Sequence, residues 1–275
     1  MRMVRVIGRS FLDFFRDNGL MLAGSMSYFT IMALVPLSLF LVTVFGYFLG
    51  QYPDFYKFFL AKLTGFFPTV TQGITDDLTK IISYKGLGKF GLLLYGVLSF
   101  QVFASMETAL NTIFKVKKRR NFIVSIIVSL VVVTLIIALL TVSFAAASLI
   151  PLLKTLGPDF SVIKIGKISK FLLQFVLPFI LVLFSIMLLY VVVPKTRVAL
   201  SSALKGAFFA TVMLEVAKHT FTWYVINLVQ FGKIYGPLTA FVMFLLWIFY
   251  SSGIFLIGAE IVHNLGNQKQ MRSGQ

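Results

Sequence analysis

The 275 residues are 59% hydrophobic and only 12% charged, and the mean hydropathy is +0.94. An ordinary soluble domain, with about twice that charged fraction, is excluded. The formal net charge of +16 fits basic loops and headgroup contacts of a membrane protein better than a nucleic-acid surface.

The apolar residues fall in blocks of bilayer-spanning length, without the alternation of a barrel strand, and a span must satisfy its backbone hydrogen bonds internally. The expected fold is all-α, a polytopic membrane protein with six transmembrane helices and an N-terminal amphipathic helix. The absence of cysteine fits any compartment. Charge interrupts the apolar residues at the N-terminus, unlike a cleavable signal.

Residues 2–17 come first in the chain. At 100° per residue Val4, Ile7, Phe11, Phe14 and Phe15 share one face, with Arg2, Arg5, Arg9 and Arg16 on another. That describes a helix in the membrane interface with its arginines on lipid headgroups. Packing on the protein's own cytosolic side is the alternative. The first span covers about 20–50, opens with Ser25, Ser27, Tyr28 and Thr30, and contains Pro36, a kink point. Residues 51–88, with Pro53, Pro68 and Gly73, read as short amphipathic helices on the outer surface.

Span two, about 89–114, ends in a basic cluster from Lys115 to Arg120, and span three covers about 122–152. Span four, about 170–193, contains Pro178; span five covers about 200–231 and span six about 238–262. The domain layout is therefore a cytoplasmic interfacial helix at 1–19, a transmembrane domain at 20–265 and a cytoplasmic tail at 266–275. With both termini inside, all the arginines (2, 5, 9, 16, 119, 120, 197 and 272) face the cytoplasm, as the positive-inside rule favours.

Ionisable groups within spans cost at least ~2.5 kcal/mol at the bilayer centre, so they face a cavity or a partner. Span five carries Thr211, Glu215, Lys218, His219 and Thr222 as one polar stripe. Two readings stay open: a hydrated, substrate-contacting face, or a Glu215–Lys218 ion pair that fixes packing. Span two offers Gln101, Ser105, Glu107, Thr108, Asn111 and Thr112 toward its cytoplasmic end, and Glu107 is the candidate among them. Gly258 and Ala259 permit close helix approach beside Glu260. The candidate cavity residues are Ser27, Tyr28, Glu107, Glu215, Lys218, His219 and Glu260. No nucleotide-binding fingerprint or metal-spaced His/Cys set occurs, so no catalytic residue, metal or cofactor is expected.

Several motifs recur in order: Ser27–Pro36 (SYFTIMALVP), Ala109–Asn111 (ALN), Tyr190–Pro194 (YVVVP) and Gly206–Ala207. Then come Glu215–Lys218 (EVAK), Ile234–Gly236 (IYG), Phe244–Tyr250 (FLLWIFY) and Gly258–Glu260 (GAE). Together they resemble the YihY/BrkB family of bacterial inner-membrane proteins over essentially the whole chain. The resemblance implies six helices in the inner membrane and directs attention to Glu215, Lys218 and Glu260. Members have been labelled ribonuclease BN, a label regarded as mistaken, and serum-resistance or virulence factors; some are proposed to move lipids.

Three functions follow for testing. The first is a transporter or lipid-handling protein, not an enzyme, whose partners are membrane lipids and an envelope or periplasmic lipid-transport protein. In it Lys218 meets an anionic headgroup, Glu215 holds Lys218 and Glu107 lines an inner vestibule. The second is a scaffold that docks an envelope partner through 51–88. The third, a membrane ribonuclease, is disfavoured because loops 115–121 and 194–205 contain no His, Asp or Glu.

Overall fold

The computed structural model describes residues 2–33, 88–116, 121–132, 135, 175–227 and 239–273. The outer-surface stretch expected at 51–88 (all but Gly88), the Pro36 kink, most of span three and the turn before span six lie outside these residues. The described elements are all helical. They are α1 (Arg2–Arg16), α2 (Gly19–Ala33), α3 (Gly88–Ile113), α4 (Phe122–Val132), α5 (Leu177–Val192), α6 (Leu200–Asn227) and α7 (Thr239–Ser273). Among the described residues, two stretches, Leu200–Tyr224 and Phe241–Asn267, are long and apolar enough to cross a membrane. Helix α7 runs on through the polar residues 266–273 instead of ending with its apolar stretch. Its 35 residues rise about 52 Å, against about 30 Å of hydrocarbon.

The chain forms two compact units. The first comprises Met1–Asp17, Leu110–Met213 and Phe255–Gln275; the second comprises Asn18–Ala109 and Leu214–Ile254.

In the first unit, small residues let α6 and α7 meet backbone to backbone. A Cβ on Gly206 would lie 2.6 Å from the Gly258 carbonyl oxygen, and one on Gly258 would lie 2.9 Å from the Ala210 methyl. Neither site admits a side chain without movement. The Tyr190 hydroxyl of α5 closes this crossing by donating to the Phe255 carbonyl at 2.5 Å, with the two rings 5.0 Å apart. Burying a tyrosine at 0% exposure requires such a partner for its hydroxyl. Pro178 occupies the first turn of α5, where its missing N–H removes little from the helix. Beyond α5, the Lys195 amide donates to Asn111 Oδ1 at 2.9 Å and ties the α5 exit to the end of α3.

Helix α1 has three faces rather than two. Val6, Ser10 and Phe14 are buried, while Val4, Phe11 and Phe15 are exposed, and Arg5, Arg9 and Arg16 are exposed on a third side. Phe14, expected among the lipid-facing residues, instead points inward. The physical reason is its register with Ser10 and Val6 at i, i+4 and i+8, which makes one continuous packing stripe.

In the second unit, α2, α3 and the adjoining parts of α6 and α7 supply the described helices. Phe221 of α6 packs on Trp247 of α7 with ring centres 5.5 Å apart.

Candidate functional site

A cavity of about 280 Å³ opens between α2 and α3 in the second unit. Leu22, Ser25 and Phe29 line it from α2 at i, i+3 and i+7, the spacing of one helix face. Gln101, Ala104, Ser105 and Thr108 line it from α3 with the same logic. Ser25, Gln101 and Thr108 are exposed at its rim. None of these lining residues is charged. The Ser105 Oγ is buried and makes no hydrogen bond among the described residues, whereas Thr108 Oγ1 donates to the Ala104 carbonyl at 2.8 Å.

Ser27 and Tyr28 do not line this cavity. Ser27 is buried and donates to the Ala23 carbonyl at 2.7 Å, and Tyr28 is exposed. Thr30 donates to the Met26 carbonyl at 2.7 Å. Such hydroxyls are satisfied by their own helix. Glu107 is buried but lies about 110° around α3 from the centre of the lining face.

The stripe on α6 resolves into separate pieces. Glu215 Oε1 accepts from Lys218 Nζ at 2.6 Å and lies 3.3 Å from His219 Nε2. The side chains of Lys218 and His219 are 53% and 74% exposed, so this triad lies on a surface. Thr211 and Thr222 donate to the Ala207 and Lys218 carbonyls, each at 2.8 Å, completing local bonds.

Glu260 belongs to a polar knot in the first unit. It is 1% exposed, and its Oε1 makes no hydrogen bond among the described residues. The charges of Asp13, Asp17 and Lys115 surround it. Lys115 pairs with Asp17, and Arg9 reaches Asp13 at 3.5 Å. Asn264, one turn beyond Glu260, donates through Nδ2 to Ser10 Oγ and Asp13 Oδ2, both at 3.0 Å. His263 stacks edge-on to Phe114 and meets Asn267 Nδ2 at 2.9 Å.

Lys115 adopts a left-handed conformation, φ 56°, at the end of α3. The Val116 amide donates to the Asn111 carbonyl at 2.9 Å and the Lys115 amide to that of Thr112 at 3.1 Å. These two bonds are the Schellman closure, in which glycine is the usual left-handed residue.

Sequence reasoning did not select Ser10, Asp13, Asp17, Lys115 or Asn264. The spacing of Ser10, Asp13 and Asp17 at i, i+3 and i+7 is the signal that could have found the α1 half of the knot. Nor did it single out Phe29 or Leu22, whose apolar side chains carry no mark in a hydrophobic span. Among the described residues no group of His, Cys, Asp and Glu is placed to hold a metal ion.

The family model "Virulence factor BrkB" matches residues 10–275. A UPF0761 membrane protein of Alkalilimnicola ehrlichii is 31% identical over 267 residues, covering 94% of this chain and 58% of the relative. Another, from Chlorobium luteolum, is 31% identical across 95% of this chain and 61% of its own length. A third, from Aliivibrio fischeri, is 30% identical across 98% of this chain and 87% of its own length. The chain thus spans about three fifths of the first two relatives. No solved structure matches the chain. Matched across nearly its whole length and built of apolar helices, this chain belongs to the BrkB (YihY, UPF0761) family of membrane proteins.

Proposed function

We propose that the protein is a six-span inner-membrane protein, with both termini cytoplasmic, that transports or handles lipids or similar amphiphiles. The α2–α3 cavity carries this reading. Ser25 and Gln101 stand at its rim, and the buried Ser105 hydroxyl meets no partner among the described residues, a costly arrangement in hydrocarbon unless something polar enters the cavity.

Two further features support it. The exposed apolar face of α1 beside Arg5, Arg9 and Arg16 suits the cytoplasmic headgroup layer. Lys218 stands 18 residues beyond Leu200, about 27 Å along α6 and close to the full hydrocarbon thickness. Exposed Trp223 and Tyr224 follow it, in keeping with an interfacial aromatic belt. On this reading the triad faces the outer headgroups, where Lys218 meets anionic oxygens and Glu215 orients it.

The test is transbilayer exchange of a fluorescent phospholipid in vesicles of phosphatidylethanolamine and phosphatidylglycerol containing purified protein. Exchange above that of protein-free vesicles, slowed by Lys218→Ala, is expected. Exchange no faster than in protein-free vesicles would overturn lipid movement as the activity.

A further inference from the structure

Depth, charge and hydrogen bonding together specify what the α2–α3 cavity holds. Helix α2 begins three residues after Arg16, the last arginine of the interfacial helix, so Gly19 starts at headgroup level on the reading above. Ser25 is then about 9 Å and Phe29 about 15 Å farther in, by the helical rise. On α3, Thr108 lies about 8 Å and Gln101 about 18 Å from the helix end at Ile113. The interfacial layer is about 5–8 Å deep on each side. The cavity therefore straddles the boundary between the ester groups of a leaflet and the upper parts of its acyl chains.

The lining matches that boundary. Among the described residues it has no lysine or arginine, so they offer no counter-ion to a phosphate. Leu22 and Phe29 present hydrocarbon, and Ser105 is a hydroxyl donor without an acceptor among the described residues. A serine hydroxyl turns about χ1 among staggered wells, so it can be presented to a ligand without moving the helix. An ester carbonyl is an acceptor that carries no charge and is found at this depth.

We propose that the cavity between α2 and α3 binds the glycerol-ester segment of a membrane lipid, Ser105 donating to an ester carbonyl and an acyl chain lying on Leu22 and Phe29. The proposal rests on the lipid-handling reading and narrows it. The same hydroxyl would also recognise a free polyol, so the test separates the two sources.

The experiment is native mass spectrometry of the purified full chain with dioleoylglycerol, its dialkyl ether analogue, and glycerol. The ether keeps the hydrocarbon and the free hydroxyl but lacks ester carbonyls. Wild-type protein should retain the diester about fivefold better than the ether, the scale of one hydrogen bond. Ser105→Ala should abolish that preference and Ser105→Thr should keep it, with retained thermal stability showing that both variants fold.

Equal retention of ester and ether by the wild type, a preference that survives Ser105→Ala, or no retention of either lipid would each overturn the site. Displacement of the diester by glycerol alone would overturn the lipid segment in favour of a free polyol. All these outcomes are separable from the lipid-exchange assay, which decides the broader reading without reference to ester chemistry.

Discussion

Lys115 brings two opposing effects to one residue. Its left-handed backbone costs a non-glycine residue about 1–2 kcal/mol. Its ammonium pairs with Asp17 but is half exposed, so solvent screening holds that pair to about 0–1 kcal/mol. Lys115→Met keeps the strain and loses the pair, so it should lower the melting temperature. Lys115→Gly relieves the strain while losing the same pair, and should leave the protein as stable as wild type or slightly more so. Thermal unfolding of both variants in detergent checks the ordering; a glycine variant less stable than the methionine variant would show that the left-handed backbone at Lys115 is not strained. Asn264→Ala should be worse than either, by about 1–3 kcal/mol, because Ser10 and Asp13 lose the amide that joins them to α7. Ser10 and Asp13 were legible as members of a helix face. Their partner was not, because Asn264 lies 254 residues from Ser10 and no local pattern connects them.

At the level of elements, the three-sided character of α1 predicts unequal effects from neighbouring phenylalanines. Phe14→Ala should cost about 3–5 kcal/mol of stability, as a buried ring leaves a hole. Phe15→Ala should change detergent stability by less than about 0.5 kcal/mol, since its ring is exposed. Similar losses at the two positions in thermal unfolding would contradict the packing face described for α1. The α6–α7 crossing predicts a second asymmetry. Gly258→Val inserts two methyl groups where one Cβ already collides, so folded protein should be lost at a cost of about 1–3 kcal/mol or more. Gly266→Ala on the same helix meets nothing within 4 Å among the described residues and should gain stability, by about 1 kcal/mol from helix propensity. The small residues at Gly258–Ala259 announced close approach in the sequence. Which helix approached, and that Tyr190 would lock the crossing, depended on contacts with α5 and α6.

For the whole molecule, the cysteine-free chain allows a direct test of topology. Single cysteines at Arg5 and at Met271, introduced separately, should react with a membrane-impermeant maleimide only after the inner membrane is opened. Labelling of either in intact spheroplasts would reverse the proposed orientation. The motif residues also divide at this scale. Asn111 joins the exit of α5, Tyr190 joins Phe255, and Gly206 meets Gly258, all within the first unit. These motifs therefore mark packing, whereas the cavity is lined mainly by residues outside them, with Ser105 and Gln101 on α3 and Phe29 as the motif member. Sequence motifs and candidate ligand site are largely different sets of residues.

Hydropathy and periodicity determined from the sequence alone that the chain is helical, that it belongs in a membrane, and which segments hold α1, α3, α6 and the apolar part of α7. Those properties are local: a span must satisfy its backbone hydrogen bonds within itself, whatever its neighbours do. Long-range contacts decided the rest. Tertiary structure exposed the Glu215–Lys218–His219 triad, drew Glu260 into a knot with α1, and matched the faces of Leu22, Ser25 and Phe29 to those of Gln101, Ser105 and Thr108. A helix shows by its own sequence which residues share a face, but only its packing partners determine whether that face meets a neighbour, lipid or a cavity.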